Sequence, residues 1–257
     1  SLAAAISKDF GINAELIHIL AAILFLLLAV FLLYPILAVL IKSIKGPEGL
    51  TLSYYAKFFA KGYYFQSLLN TLMLGFINTV VCLTVGFCMA YLTTRGPLSL
   101  RKPLKFITMM PLIAPPYLFA ISLIILFGRN GILTKFFGLN WSIYGFSGVV
   151  IAQTLAFIPL AYLMIENTLM SLNPNLEESA YDLGASETRI IRTITIPLLA
   201  PGILKAGLLV FVMTIAEFGN AAILGGRTPF LAPDTYQIII GDAGFETSRM
   251  TIDWSRG

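Results

Sequence analysis

Charge is what this sequence has least of. Asp, Glu, Lys and Arg make up 12% of its 257 residues, against 58% hydrophobic ones. Water-soluble domains carry about 25% charged residues, so the shortage places most of the chain in lipid. Histidine occurs once, as His18 at the edge of an apolar run, where it reads as a partly buried or interfacial side chain. Cysteine occurs twice, and Cys82 and Cys88 fall on largely opposite faces of one helix, so they cannot bridge. There is no Cys/His cluster for a metal, and none is expected. The G-x-x-x-x-G-K-[ST] stretch that cradles nucleotide phosphates is missing, which argues against ATP binding by the chain itself. No nucleophile, base and acid stand in a catalytic pattern, so the chain reads as non-enzymatic and without a cofactor. The net charge of +4 is spread through loops and calls for no nucleic acid.

What is present is a series of long apolar runs. Residues 16–41 contain no formal charge over 26 positions, about 39 Å as a helix, more than the ~30 Å hydrocarbon core of a bilayer. Further spans are expected over 67–94, 106–127, 146–165 and 203–224, with a short interfacial helix over 50–59. The fold class is all-α, a polytopic membrane helix bundle of five transmembrane helices. In the second span Asn78, Cys82, Gly86 and Ala90 recur every fourth residue, a face of small groups that lets backbones approach closely. Asn70 and Asn78 should point into the bundle, away from lipid. The third span is interrupted by Pro111, Pro115 and Pro116. Broken helices at membrane depth occur where the freed backbone is buried or lines a cavity, which makes Pro115 and Pro116 pathway candidates.

Residues 177–197 form a polar island between two spans, within a loop over 173–197. Asn173 suits an N-cap with Pro174 at the first helical position, and Glu177 and Glu178 suit the first turn. Leu176, Ala180, Leu183 and Gly184 share one face, with Glu178 and Asp182 on another. Gly184 suits a helix stop, and Ser186 suits the cap of a second short helix carrying Arg189 and Arg192. The result is a helix–turn–helix knob at the membrane surface.

This island resembles the cytoplasmic loop of the inner-membrane permeases of ATP-binding-cassette (ABC) importers. That loop, the EAA motif, reads E-A-A, three residues, G, nine residues, then I-x-L-P. Here stand Glu178-Ser179-Ala180, Gly184 and Ile194-Thr195-Ile196-Pro197, with both spacings intact. The resemblance implies a coupling helix docked in a cleft of an ATPase subunit, through Glu177, Glu178, Ala180, Asp182, Gly184 and Arg189. It also implies a periplasmic solute-binding protein and a second permease half as partners, and a multi-pass place in the bacterial inner membrane. Lys and Arg divide almost evenly between the two sides, although the dense loop from Arg95 to Lys105 favours the knob being cytoplasmic.

Asn70-Thr71, Pro111-Leu112-Ile113-Ala114-Pro115-Pro116 and Glu217-Phe218-Gly219 are most similar to the iron(III)-type branch. Related branches move phosphonate, thiamine, sulfate, molybdate or polyamines, and these stretches do not separate them cleanly. Permeases of the family have six spans per half, and five are counted here, the sixth being absent. Residues 1–257 are therefore expected to be one transmembrane domain, the N-terminal half or a fragment of a longer permease, or a truncated single subunit. The tail after Asp253 sits where a sixth helix would begin.

Glu217 lies deep in the fifth apolar run, where exposing its charge to lipid would cost ~2.5 kcal/mol or more. Either neighbours such as Gln153 or Asn78 satisfy it, or it stands with Asn220 at the outer mouth of the pathway. A secondary transporter or channel using Glu217 as an ion site, and a scaffold whose loop only recruits a partner, are the rival readings.

Overall fold

The apolar runs fold as helices because each backbone N–H and C=O must find its partner inside its own segment once water is gone. The computed structural model describes residues 14–46, 49–138 and 141–240. The chain divides into two units, residues 1–61 and 62–257. Five helices are long and apolar enough to cross a membrane: His18–Ile44, Gly62–Arg95, Tyr117–Phe137, Phe146–Ser171 and Glu187–Ala216. The tail beyond Asp253, where a sixth helix was expected to begin, lies outside the described residues.

In the first unit, α1 (Ala14–Leu28) and α2 (Tyr34–Ile44) form one rod joined by a π turn, Ala29–Leu33. Pro35 has no N–H to give, and the wider turn absorbs it: the Tyr34 N–H bonds to the Ala29 carbonyl instead. No described side chain of this span is buried within its unit. A helix apolar on every side suits lipid or further protein around it. Two-residue strands β1 (Lys45–Gly46) and β2 (Gly49–Leu50) then pair antiparallel. The expected interfacial helix is α3 (Ser53–Ala60), tied back by a 2.8 Å hydrogen bond between Ser43 Oγ and Tyr55 OH.

The second unit is built on α4 (Gly62–Arg95), α8 (Phe146–Ser171) and α11 (Ile196–Ala216), which pack against one another. Between α4 and α8 come α5 (Leu98–Met109), a 3-10 turn (Met110–Ile113), α6 (Tyr117–Phe127) and α7 (Ile132–Phe137). The small-residue face of α4 is the packing face: Asn78, Cys82, Gly86 and Ala90 are all buried. At Gly86 a Cβ would come within 3.0 Å of Ala161 Cβ and of the Tyr162 backbone nitrogen, so a side chain there would press α4 against α8. Asn78 pins the three main helices. Its Nδ2 donates to Thr214 Oγ1 at 2.7 Å, and its Oδ1 accepts from Thr154 Oγ1 at 2.6 Å. Such interhelical bonds contribute about 0.6 kcal/mol each. Asn70 turns inward as well, donating to the Pro229 carbonyl at 3.1 Å.

Three span boundaries differ from expectation. The span expected over 106–127 begins earlier, as α5 from Leu98, and stops at Met109; the proline stretch breaks it, and α6 resumes at Tyr117. The fourth runs on from 165 to Ser171, because Glu166 is paired inside the bundle rather than hydrated. The fifth, expected over 203–224, starts at Ile196 and ends at Ala216; the rest forms a separate short helix, α12 (Gly219–Leu224). The last described helix is α13 (Leu231–Ile239), held to α4 by Ser67 Oγ donating to Asp234 Oδ2 at 2.9 Å.

Candidate functional site

The polar island folds as two short helices, α9 (Asn175–Asp182) and α10 (Glu187–Ile190), followed by a π turn (Ile191–Thr195) that runs directly into α11. Asn173 Oδ1 accepts the Asn175 N–H at 3.1 Å, although the helix proper starts one residue later than expected, with Pro174 at the cap. Gly184 ends α9 as expected, at φ +81°. Its N–H bonds to the Tyr181 carbonyl at 2.8 Å, and the Ala185 N–H bonds to the Ala180 carbonyl at 3.0 Å. That is the Schellman pairing, which closes the orphan carbonyls of a helix end. Ser186 departs from expectation. It holds the N-cap position in extended conformation, but its hydroxyl makes no capping bond, and the start of α10 rests on backbone geometry alone.

Glu177 faces inward. It is buried; Oε2 accepts from Arg95 Nε at 2.7 Å and Oε1 from Thr195 Oγ1 at 2.8 Å. Arg95 also reaches the Leu169 carbonyl at 3.4 Å, so one ion pair gathers the end of α4, the end of α8, the knob and the π turn. The other residues expected to meet the ATPase lie toward the surface. Glu178, Asp182, Gly184 and Arg189 are exposed and Ala180 is half-buried. Leu183 is 88% exposed, and Leu176 and Tyr181 are nearly half exposed. Leu176 and Leu183, seven residues apart, share one exposed face of α9.

A second ion pair lies at the same end of the bundle and was not foreseen. Lys105 Nζ stands 3.0 and 3.1 Å from the two oxygens of Glu166, which is buried. Tyr162 OH donates to Glu166 Oε1 at 2.6 Å and lies 3.2 Å from Thr93 Oγ1. A separation of 61 positions between Lys105 and Glu166 left no local signal for the pair.

Glu217 stands at the other end of α8 and α11, in the break between α11 and α12. Its carboxylate accepts the Asn220 N–H at 2.9 and 3.1 Å, which caps α12 and explains why the apolar run does not continue as one helix. Gln153 Nε2 donates to Oε2 at 3.1 Å, as one of the two readings foresaw. Asn78 does not take part, because its carboxamide is committed to Thr154 and Thr214. No cation pairs with Glu217 among the described residues. Asn220 and Gln153 are fully buried, yet Gln153 Oε1 and both polar atoms of the Asn220 side chain have no hydrogen-bond partner. The two helix breaks meet here. Tyr117, directly after Pro115 and Pro116, packs over Gly219, where a Cβ would lie 2.7 Å from Tyr117 Cβ. Pro115, Pro116, Glu217 and Asn220, separate in sequence, thus belong to one region. Among the described residues no three His, Cys, Asp or Glu side chains gather around a metal position.

The family model of the binding-protein-dependent transport system inner membrane component matches residues 82–248, which take in the knob and Glu217. The chain belongs to this family. It is 31% identical over 223 residues to the ferric transport system permease protein FbpB of Actinobacillus pleuropneumoniae, covering 84% of this chain and 32% of that one. A putative ferric permease protein FbpB 1 of Haemophilus influenzae is 29% identical over 231 residues, 87% of this chain and 37% of its own. The molybdenum transport system permease protein ModB of Azotobacter vinelandii is 30% identical over 162 residues, 62% of this chain and 72% of its own. The chain spans about a third of the length of the ferric relatives. Among solved structures, a bacterial alginate ABC transporter in complex with its alginate pentasaccharide-bound periplasmic protein superposes with a TM-score of 0.70 at 17% identity, covering 96% of this chain and 87% of that one. The MetNI methionine ABC transporter in an inward-facing conformation gives 0.55 at 20% identity, covering 73% and 84%. The fold is that of an ABC transporter's membrane-spanning chain.

Proposed function

We propose that the chain is the membrane-spanning part of a binding-protein-dependent importer in a bacterial inner membrane. ATP hydrolysis belongs to separate ATPase subunits that grip the knob at 173–197, a periplasmic binding protein delivers solute at the Glu217 end, and a second permease half completes the pathway. The observation that carries this reading is the split orientation of α9. Glu177 is locked inward to Arg95 and Thr195, while Leu176, Glu178, Tyr181 and Leu183 are presented outward. A stiff helix fixed on one side and gripped on the other passes on rigid-body motion, which a loose loop would not. The π turn running into α11 gives that motion a continuous path toward Glu217.

For the solute we propose ferric iron. The two ferric relatives align with more of this chain than the molybdenum one does, and a carboxylate held only by neutral donors suits a hard cation better than an oxyanion. Molybdate is the second reading, supported by the 30% identity to ModB.

The test is at the knob. Glu178→Ala, or Gly184→Phe, should abolish co-purification of the ATPase and solute uptake while the chain still inserts in the membrane. Normal solute-stimulated ATP hydrolysis in both variants would overturn the proposal.

A further inference from the structure

Two cavities of different chemistry meet on α5. The first, about 380 Å³, opens where α4 and α8 end and is walled by Thr93, Thr94, Arg95, Arg101, Lys102 and Lys105, with Glu166 beneath. The second, about 560 Å³, is almost wholly apolar and runs along Phe106, Met109, Met110, Leu112 and Ile113. Lys102 and Lys105 line both, so the basic cavity continues into the apolar one.

The charges in the first cavity are not balanced. Arg95 is matched by Glu177 and Lys105 by Glu166. Arg101 spends its Nε on the Gly96 carbonyl, and neither it nor Lys102 pairs with a carboxylate among the described residues. The second cavity is open on its apolar side: Phe106 is 69% exposed, Met110 59% and Ile113 85%. From Lys102 to Ile113, along α5 and the 3-10 turn that follows, is about 18 Å, comparable to one leaflet's half of the ~30 Å hydrocarbon core. A cationic pocket at the end of the spans, joined to an apolar groove one leaflet deep, matches an amphiphile with an anionic head. A soluble anion would leave the groove empty, and an apolar helix would leave the two cations unmatched.

We propose that this double cavity binds an anionic phospholipid, its phosphate held by Arg101 and Lys102 and one acyl chain laid along residues 106–113. Basic pockets between membrane helices take such headgroups. Glu166 beneath the pocket is occupied by Lys105 and Tyr162, so it does not oppose the phosphate as a free carboxylate. The site does not depend on which solute the protein carries.

The assembled transporter containing this chain, titrated with phosphatidylglycerol and followed by native mass spectrometry and thermal melting, tests the assignment. Phosphatidylglycerol should be retained at least about tenfold more tightly than phosphatidylcholine, and should raise the melting temperature. Arg101→Gln with Lys102→Gln should remove that preference. Met110→Trp, which fills the exposed groove without touching the cations, should weaken retention too. Equal retention of the two lipids, or an undiminished preference in the charge variant, would overturn the proposal in favour of a nonspecific lipid layer. Stabilisation by inorganic phosphate equal to that by the lipid, or full retention by Met110→Trp, would overturn it in favour of a soluble-anion site.

Discussion

Glu177 and Glu166 at the knob end are held differently from the half-buried Glu217 at the other. At the knob end Glu177 and Glu166 each have a cation at 2.7 and 3.0 Å, plus a hydroxyl donor. At the other end Glu217 has only neutral donors, a carboxamide and a backbone N–H, and its buried neighbours Gln153 and Asn220 keep polar atoms with no partner. A matched ion pair holds its geometry, because losing either member strands a charge. A carboxylate among unpartnered amides keeps binding capacity in hand. We therefore propose that the knob end transmits position and that the Glu217 end receives the solute. The backbone agrees: helices run unbroken from the middle of the bundle to Arg95 and Ser171, whereas at the far end two helices break side by side at Pro115–Pro116 and at Glu217.

Substitutions at the two ends should separate stability from transport. The largest stability effect is expected for Lys105→Met, which strands buried Glu166: a loss of about 3 kcal/mol, read as a lower thermal midpoint and mostly restored by Lys105→Arg. A melting curve like the wild type's would show that the pair holds nothing. Next comes Arg95→Gln, with a loss of about 2 kcal/mol as Glu177 keeps only Thr195. In this variant the knob should still bind the ATPase while solute no longer stimulates hydrolysis, because docking and anchoring use different faces of α9. Stimulation at wild-type level would break the claim that Glu177 anchors the knob. The smallest stability effect belongs to the far end. Asn220→Leu removes a buried carboxamide that has no partner, so stability should stay within about 0.5 kcal/mol or rise, while uptake falls. A large drop in stability would mean that Asn220 serves the fold.

Much of this contrast was legible in the sequence. Apolar length gave the five spans, the fourfold repeat of Asn78, Cys82, Gly86 and Ala90 gave the packing face of α4, and Gly184 gave the stop of α9. Each is a local pattern with a local physical cause. What stayed hidden depends on partners distant in sequence. Glu177 and Glu178 are adjacent and equally suited to a first turn, and only Arg95, 82 residues away, decides that one turns in. Glu166 looked like the residue beyond a span until Lys105 brought it inside. The end of the fifth span was misread for a different reason. Apolarity continues through residues 217–224, but the Glu217 carboxylate binds the Asn220 N–H and starts a new helix, a competition that hydrophobicity does not register.

The central claim, that the far end meets the solute while the knob end holds the structure, is tested most directly by Glu217→Gln in the assembled transporter, with uptake and melting measured on the same preparation. The variant is nearly isosteric and leaves a carbonyl oxygen to cap Asn220. Uptake should fall by at least about tenfold, or about 1.4 kcal/mol in the transport barrier, with an unchanged thermal midpoint. Uptake at wild-type level, or loss of uptake and stability together, would contradict it.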